Sequence, residues 1–100
     1  MWYIAESKIH GKGAFASATL STNRRVGVVA LPKAVDKWYL TEFGSMVNHQ
    51  KSGNCELRRE KDNSYWLYTI KEVEQGVELV SDYTKTPKPF SSFIEGYIEL

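Results

Sequence analysis

Cysteine is almost absent from this chain: Cys55 is the only one among 100 residues. One thiol excludes an internal disulfide and any metal centre built from several thiolates of one chain, and it fits a reducing compartment. Histidine is nearly as scarce. His10 and His49 are far apart in sequence and lack the i, i+4 spacing by which a helix offers two imidazoles to zinc, so no metal site is expected. Neither sign of charge dominates. With 13 basic and 12 acidic side chains and a formal net charge of +1, the chain has no strong field for nucleic acid or acidic lipid. No apolar run is long enough to span a membrane, and the stretch Met1-Trp2-Tyr3-Ile4-Ala5-Glu6 has no basic start leading into an apolar core. A soluble intracellular protein, cytoplasmic or nuclear, is expected.

What is present suits one folded unit. A hydrophobic content of 42% against 25% charged residues is too apolar for a disordered chain, and the length allows a single modest core. Residues 1–100 are therefore read as one domain, with a core over about 6–90 and an aromatic segment over 91–100. Short runs rich in Val, Tyr, Trp and Ile predict strands at Trp2 to Ala5, Gly13 to Ala16, Arg25 to Leu31, Glu56 to Arg59, Tyr65 to Ile70 and Val77 to Val80. Between them Gly11-Lys12-Gly13, Ser21-Thr22-Asn23, Ser52-Gly53-Asn54, Lys61-Asp62-Asn63-Ser64 and Glu74-Gln75-Gly76 carry turn chemistry. The fold class is mainly β with one or two short helices. One helix is predicted from Ala34 to Phe43, where Val35, Trp38, Tyr39 and Phe43 group large side chains near one face. A second is predicted near the end, where Phe90, Phe93, Ile94, Tyr97 and Ile98 recur at helical spacing and Ser92 with Glu95 matches a capping box.

Three segments carry candidate chemistry, and each alone has a plain structural explanation. Gly11-Lys12-Gly13 lets a backbone approach a ligand without Cβ obstruction, or simply turns a hairpin. Asn48-His49 offers an amide and an imidazole at one spot, or starts a turn. Asp82-Tyr83, just past a predicted strand, offers a neutral hydroxyl, or an amphipathic edge residue.

Taken in order, the three segments resemble the SET domain of protein lysine methyltransferases, over most of the chain from about Glu6 to Phe90. The opening pattern stands as Gly11-Lys12-Gly13-Ala14-Phe15-Ala16, the asparagine-histidine motif as Asn48-His49-Gln50 with Gly53-Asn54, and the closing pattern as Lys71 through Tyr83 with Gly76, Glu78-Leu79 and Asp82-Tyr83. Gln50 stands where serine is usual, Gly53 where proline usually precedes the asparagine, and Val77 where a second glutamate is common.

The resemblance implies small curved β-sheets around a knot-like crossing of the asparagine-histidine segment and the tyrosine-bearing loop. It implies S-adenosyl-L-methionine as cofactor, contacted by the backbone of Lys12, Gly13 and Ala14 and by Asn48, His49 and Tyr83. It also implies Tyr83 as the catalytic residue in a substrate channel, and a protein or peptide bearing a lysine as substrate, a histone being one candidate; the far wall of the channel is expected from Phe90, Phe93 and Tyr97, or from a partner chain. Without cysteine-bound zinc segments the chain is similar to minimal, free-standing viral and bacterial SET proteins, some of which form homodimers, and Trp38-Tyr39 or the C-terminal aromatics are candidate dimer surfaces. Two other readings stay open: a catalytically weak or inactive SET-like module that binds peptide or cofactor, and a small β-domain stacking nucleic acid on Trp2, Tyr3, Trp66 and Tyr68 beside Arg58-Arg59.

Overall fold

A computed structural model describes residues 1–34 and 37–85. The strands are β1 (Trp2–Glu6), β2 (Lys12–Ala16), β3 (Arg25–Ala34), β4 (Lys37–Leu40), β5 (Asn48–His49), β6 (Cys55–Arg59), β7 (Tyr65–Thr69) and β8 (Glu78–Ser81). A one-turn helix α1 (Glu42–Met46) follows β4, and a 3-10 turn (Tyr83–Lys85) follows β8. The chain is mainly β, as its apolar alternation predicts. The small sheets expected from the sequence are joined through β8, so hydrogen bonding runs in the order β1-β2-β8-β6-β7-β3-β4 with β5 also on β8.

Alternation explains the core. In β7 the residues Tyr65, Leu67 and Thr69 are buried while Trp66 and Tyr68 face outward, and in β6 Cys55 and Leu57 are buried between outward Glu56 and Arg58. Of these, Cys55, Leu57, Tyr65 and Leu67 meet Val29 and Ala30 of β3, Leu79 of β8 and Phe43 of α1 in one apolar cluster. Predicted turn residues fall where positive φ is needed: Asn23 at 61°, Asn63 at 71° and Gly76 at 86°.

The helix predicted from Ala34 to Phe43 is corrected. Residues 37–40 are a strand paired with β3, Trp38 opposite Pro32 and Tyr39 opposite Leu31. Trp38 is buried and Tyr39 is 56% exposed, a period of two that adjacent bulky residues disguised as a helical face. Helix begins only after Thr41, whose hydroxyl accepts the Gly44 N–H at 2.9 Å as an N-cap and donates to the Val28 carbonyl at 2.7 Å. Gly44 is required there, since a Cβ would lie 2.3 Å from the Val29 carbonyl oxygen. The second predicted helix, with Phe90, Phe93 and Tyr97, lies outside the described residues.

Candidate functional site

The site forms around β8, because three distant pieces of chain meet there. On one edge β2 pairs antiparallel with β8 (Ala14 with Leu79) and β5 pairs parallel with it (Asn48 with Val80, His49 with Ser81). On the other edge β6 pairs parallel, Cys55 with Ser81. His49 and Cys55 therefore flank the same residue from opposite sides, and residues 50–54 cross the face of β8 to connect them. This is the crossing that the sequence resemblance implies.

Two residues make so close a crossing possible. A Cβ on Gly53 would lie 2.8 Å from both Ser81 Cα and the Val80 carbonyl oxygen, so only glycine lets the crossing segment touch the strand. Next to it, buried Asn54 donates its amide to the Glu78 carbonyl (2.8 Å) and accepts the Val80 N–H (3.0 Å). The side chain thus replaces a missing strand neighbour, satisfying backbone groups that would be costly to leave unpaired in the interior. The glycine that departs from the familiar proline has a local steric reason.

Asn48 is held by a second polar cluster. Its amide nitrogen is within hydrogen-bond distance of Glu78 Oε2 (2.9 Å), Ser7 Oγ (3.1 Å) and the carbonyls of His10 and Lys12 (both 3.2 Å). Four acceptors around one group fix the amide orientation: with Oδ1 there instead, acceptor would face acceptor. Ser7 Oγ donates to the Glu78 carboxylate at 2.8 Å and accepts the Ile9 N–H at 2.9 Å, tying the start of the glycine turn to β8. Gly13 must lack a side chain, because a Cβ would lie 2.3 Å from Glu78 Oε2. Gly11, at φ 46°, makes the turn itself. A cavity of about 560 Å3 opens beside Glu78, bounded by Ile9, Gln50, Ser52 and Val77 among others, within the size range of small-molecule sites.

Tyr83 is anchored twice to the asparagine-histidine segment. Its backbone N–H donates to His49 Nδ1 at 3.1 Å, which assigns the proton of a neutral His49 ring to Nε2, and its hydroxyl donates to the Val47 carbonyl. The rings of His49 and Tyr83 lie 4.9 Å apart at 36°. Burial, with the nearby Glu78 charge as a lesser cause, pushes the Tyr83 phenol up to about 12, so it stays protonated at neutral pH. Asp82 starts the 3-10 turn: its Oδ1 accepts the Thr84 hydroxyl (2.6 Å) and N–H (3.0 Å). The Thr84 hydroxyl bond is the main reason its carboxyl lies below the usual range, with His49 Nδ1 at 4.0 Å a smaller contributor.

Of the residues singled out from sequence, Lys12, Gly13, Asn48, His49 and Tyr83 lie in this neighbourhood. Ala14 is fully buried, between Ile4 of β1 and Leu79 of β8, whereas Lys12 and Gly11 are the exposed members of the turn. Phe90 and Phe93 lie outside the described residues. Sequence reading assigned no site role to Ser7, Glu78, Gly53 or Asn54. The signal for Asn54 was its place with Gly53 in the asparagine-histidine motif and a polar residue beside a glycine, the latter also being the signal of an ordinary turn. For Glu78 it was a carboxylate two residues into a strand otherwise apolar through Val80.

The aromatics of the nucleic-acid reading do not form one exposed stacking surface: Trp2 packs inward on Phe43 beside Gly27 of β3, and Tyr3 stacks on Phe15, while Trp66 and Tyr68 lie on the outer side of β7. Arg25 lies over the Trp66 ring at 4.2 Å and Arg58 over Tyr68 at 4.4 Å, so the protein's own guanidinium groups cover those two faces. Among the described residues, no cluster of His, Cys, Asp and Glu is arranged to hold a metal ion, and no helix is long and apolar enough to cross a membrane.

Comparison with known proteins follows the same lines. The chain is similar in structure to a candidate histone methyltransferase of Plasmodium falciparum, with a TM-score of 0.70 at 18% identity over 87% of this chain and 100% of that one. It is similar also to the SET domain of the RIZ1 tumor suppressor (PRDM2), with a TM-score of 0.67 at 14% identity over 95% of this chain and 80% of that one. No curated protein shows significant sequence similarity to it. A model of the SET domain matches residues 5–84, the stretch that runs from the end of β1 through the glycine turn and the crossing to Tyr83, and the chain belongs to the SET-domain family.

Proposed function

We propose that this protein transfers a methyl group from S-adenosyl-L-methionine to the side-chain amine of a lysine in a protein or peptide, a histone being one candidate. The observation that carries the reading is the joint placement of Asn48, His49 and Tyr83 around one crossing of β8, with Tyr83 fixed to the asparagine-histidine segment at both its backbone and its hydroxyl. The donor set fits the cofactor. An excess of acceptors around Asn48 suits a cationic amino group, and the exposed backbone at Gly11 and Lys12 can approach a ligand closely.

When bound, the cofactor supplies an electrophilic methyl carbon on a sulfonium. A lysine amine must reach it neutral, and with an ordinary pKa of about 10.4 it is roughly 3.4 units from neutral at pH 7, a deficit of about 4.6 kcal/mol. Desolvation beside a cation lowers that deficit. Tyr83 contributes position rather than a proton. Its hydroxyl hydrogen is committed to the Val47 carbonyl, which leaves its oxygen lone pairs to accept from an approaching amine or a polarised methyl C–H.

Two measurements test this. Calorimetry should give saturable binding of S-adenosyl-L-methionine, and absence of binding at millimolar cofactor would end the reading. Mass spectrometry of a lysine-containing peptide library incubated with protein and cofactor should show 14-dalton additions confined to lysine, by about one methylene mass per event. Tyr83→Phe should leave cofactor affinity within about twofold and lower the methylation rate about tenfold or more, or change the number of methyl groups added. An unchanged rate and product would remove Tyr83 from its role.

A further inference from the structure

Glu78 has an unusual setting. Its carboxylate is half-buried and accepts from Ser7 Oγ and the Asn48 amide, both neutral donors. Among the described residues, the ion pairs are Arg25 with Glu60 and Arg58 with Glu56, His49 Nδ1 lies 4.0 Å from Asp82 Oδ1, and none of these contacts involves Glu78. A partly buried carboxylate with only neutral donors loses solvation that hydrogen bonds repay in part. The donor count is also short. Asn48 has two N–H groups for four acceptors, namely Glu78, Ser7 and the carbonyls of His10 and Lys12. Surplus acceptors and a carboxylate in no ion pair among the described residues therefore converge on the glycine turn, at the edge of the 560 Å3 cavity that Glu78 lines, Lys71 being the cationic side chain on the same lining.

We infer that Glu78 is a binding residue whose charge anchors the α-ammonium of the amino-acid end of the cofactor, beside Asn48. The inference rests on the methyltransferase reading and adds to it a residue and a polarity. The ammonium brings both the donors and the positive charge that the cluster lacks. Glycine at position 13 serves the same end, because any Cβ there would displace the carboxylate.

The test uses S-adenosylhomocysteine and its deamino analogue, in which hydrogen replaces the α-amino group, titrated calorimetrically into the parent and Glu78→Gln proteins. The substitution keeps side-chain size and one acceptor oxygen while removing the charge. It should weaken S-adenosylhomocysteine about tenfold and the deamino analogue less than about twofold, since only the former loses a charge partner. Equal weakening of both ligands would show that Glu78 merely shapes the turn, and no weakening would show that its charge is irrelevant; each overturns the inference while leaving the methyltransferase reading intact. If the parent binds neither ligand nor S-adenosyl-L-methionine, that reading fails and the inference with it. If Glu78→Gln shows no cooperative thermal transition, the parent decides alone: it should prefer S-adenosylhomocysteine to the deamino analogue by about tenfold or more, and equal affinity overturns the proposal.

Discussion

The two halves of the sheet are held by different means. Around β8, where β2, β5 and β6 converge, strands are short, two pairings are parallel, and stability comes from polar side chains inserted among backbone groups and from glycines that allow near contact. Across β6, β7, β3 and β4 every pairing is antiparallel, with an apolar inner face and an outer face of arginines over aromatic rings. The difference teaches where substitution is tolerated. In the antiparallel half an outward side chain can change without touching the core, whereas in the segment that crosses β8 a methyl added at Gly53 meets the strand's backbone.

Substitutions should separate the halves, beginning with the costliest. Asn54→Ala removes two bonds to β8 and leaves the Val80 N–H and Glu78 carbonyl unpaired in a buried place, so a loss of about 3 kcal/mol is expected in urea unfolding. Gly53→Ala forces a methyl against Ser81 and Val80 and should cost about 2 kcal/mol, together with weaker cofactor binding, because the crossing carries Asn48 and His49.

High pH should act on the core and on the crossing together. Burial pushes the Cys55 thiol up to about 12, and burial with the Glu78 charge does the same to the Tyr83 phenol. Both groups are neutral when protonated and have folded values above their unfolded ones. Their contributions are therefore full below about pH 9 and are lost as pH rises toward 12. Thermal melts should show stability falling over that window, and Tyr83→Phe should flatten its upper part. Retention of full stability at pH 12 would contradict the burial of both groups.

The smallest effect belongs to the outer face of the antiparallel half. Arg58→Ala removes a 2.7 Å bond to Glu56, a 3.0 Å bond to Asn23 and the contact with Tyr68, all partly exposed, and should cost less than about 1 kcal/mol. Were it as damaging as Asn54→Ala, the contrast between the halves would not hold.

Legibility in the sequence followed the same division. In the antiparallel half, Tyr65 through Thr69 was readable as a strand because burial on one face imposes a period of two, whereas Arg25 onward, bulged against β7 and buried in adjacent pairs, was readable only from its run of β-branched and apolar residues. The failure there, residues 37–40, came from Trp38 and Tyr39 standing side by side: one packs inward and the other outward, yet both are large and apolar. Around β8, Asn48, His49 and Tyr83 were found as motifs, with Gly53-Asn54 and Glu78 among the motif residues, but not the contacts by which Ser7, Asn54 and Glu78 hold the site together. Glu78 and Ser7 meet across 71 positions, and Asn54 bonds to Val80 across 26, separations that no local period records.

The sequence by itself determined the mainly β class, most strand positions, the turns at Asn23, Asn63 and Gly76, and the three short patterns by which the family is recognised. Those are properties of neighbouring residues: side-chain alternation, backbone freedom and the order of motifs. Only the tertiary structure decided that β8 is the hub, that residues 50–54 cross it where glycine alone fits, and that a carboxylate with no cationic partner among the described residues faces the glycine turn. The reason is physical. Parallel pairing and buried polar contacts join segments whose separation in sequence is set by the path of the chain, and a local pattern carries no information about which distant group will supply the missing hydrogen bond.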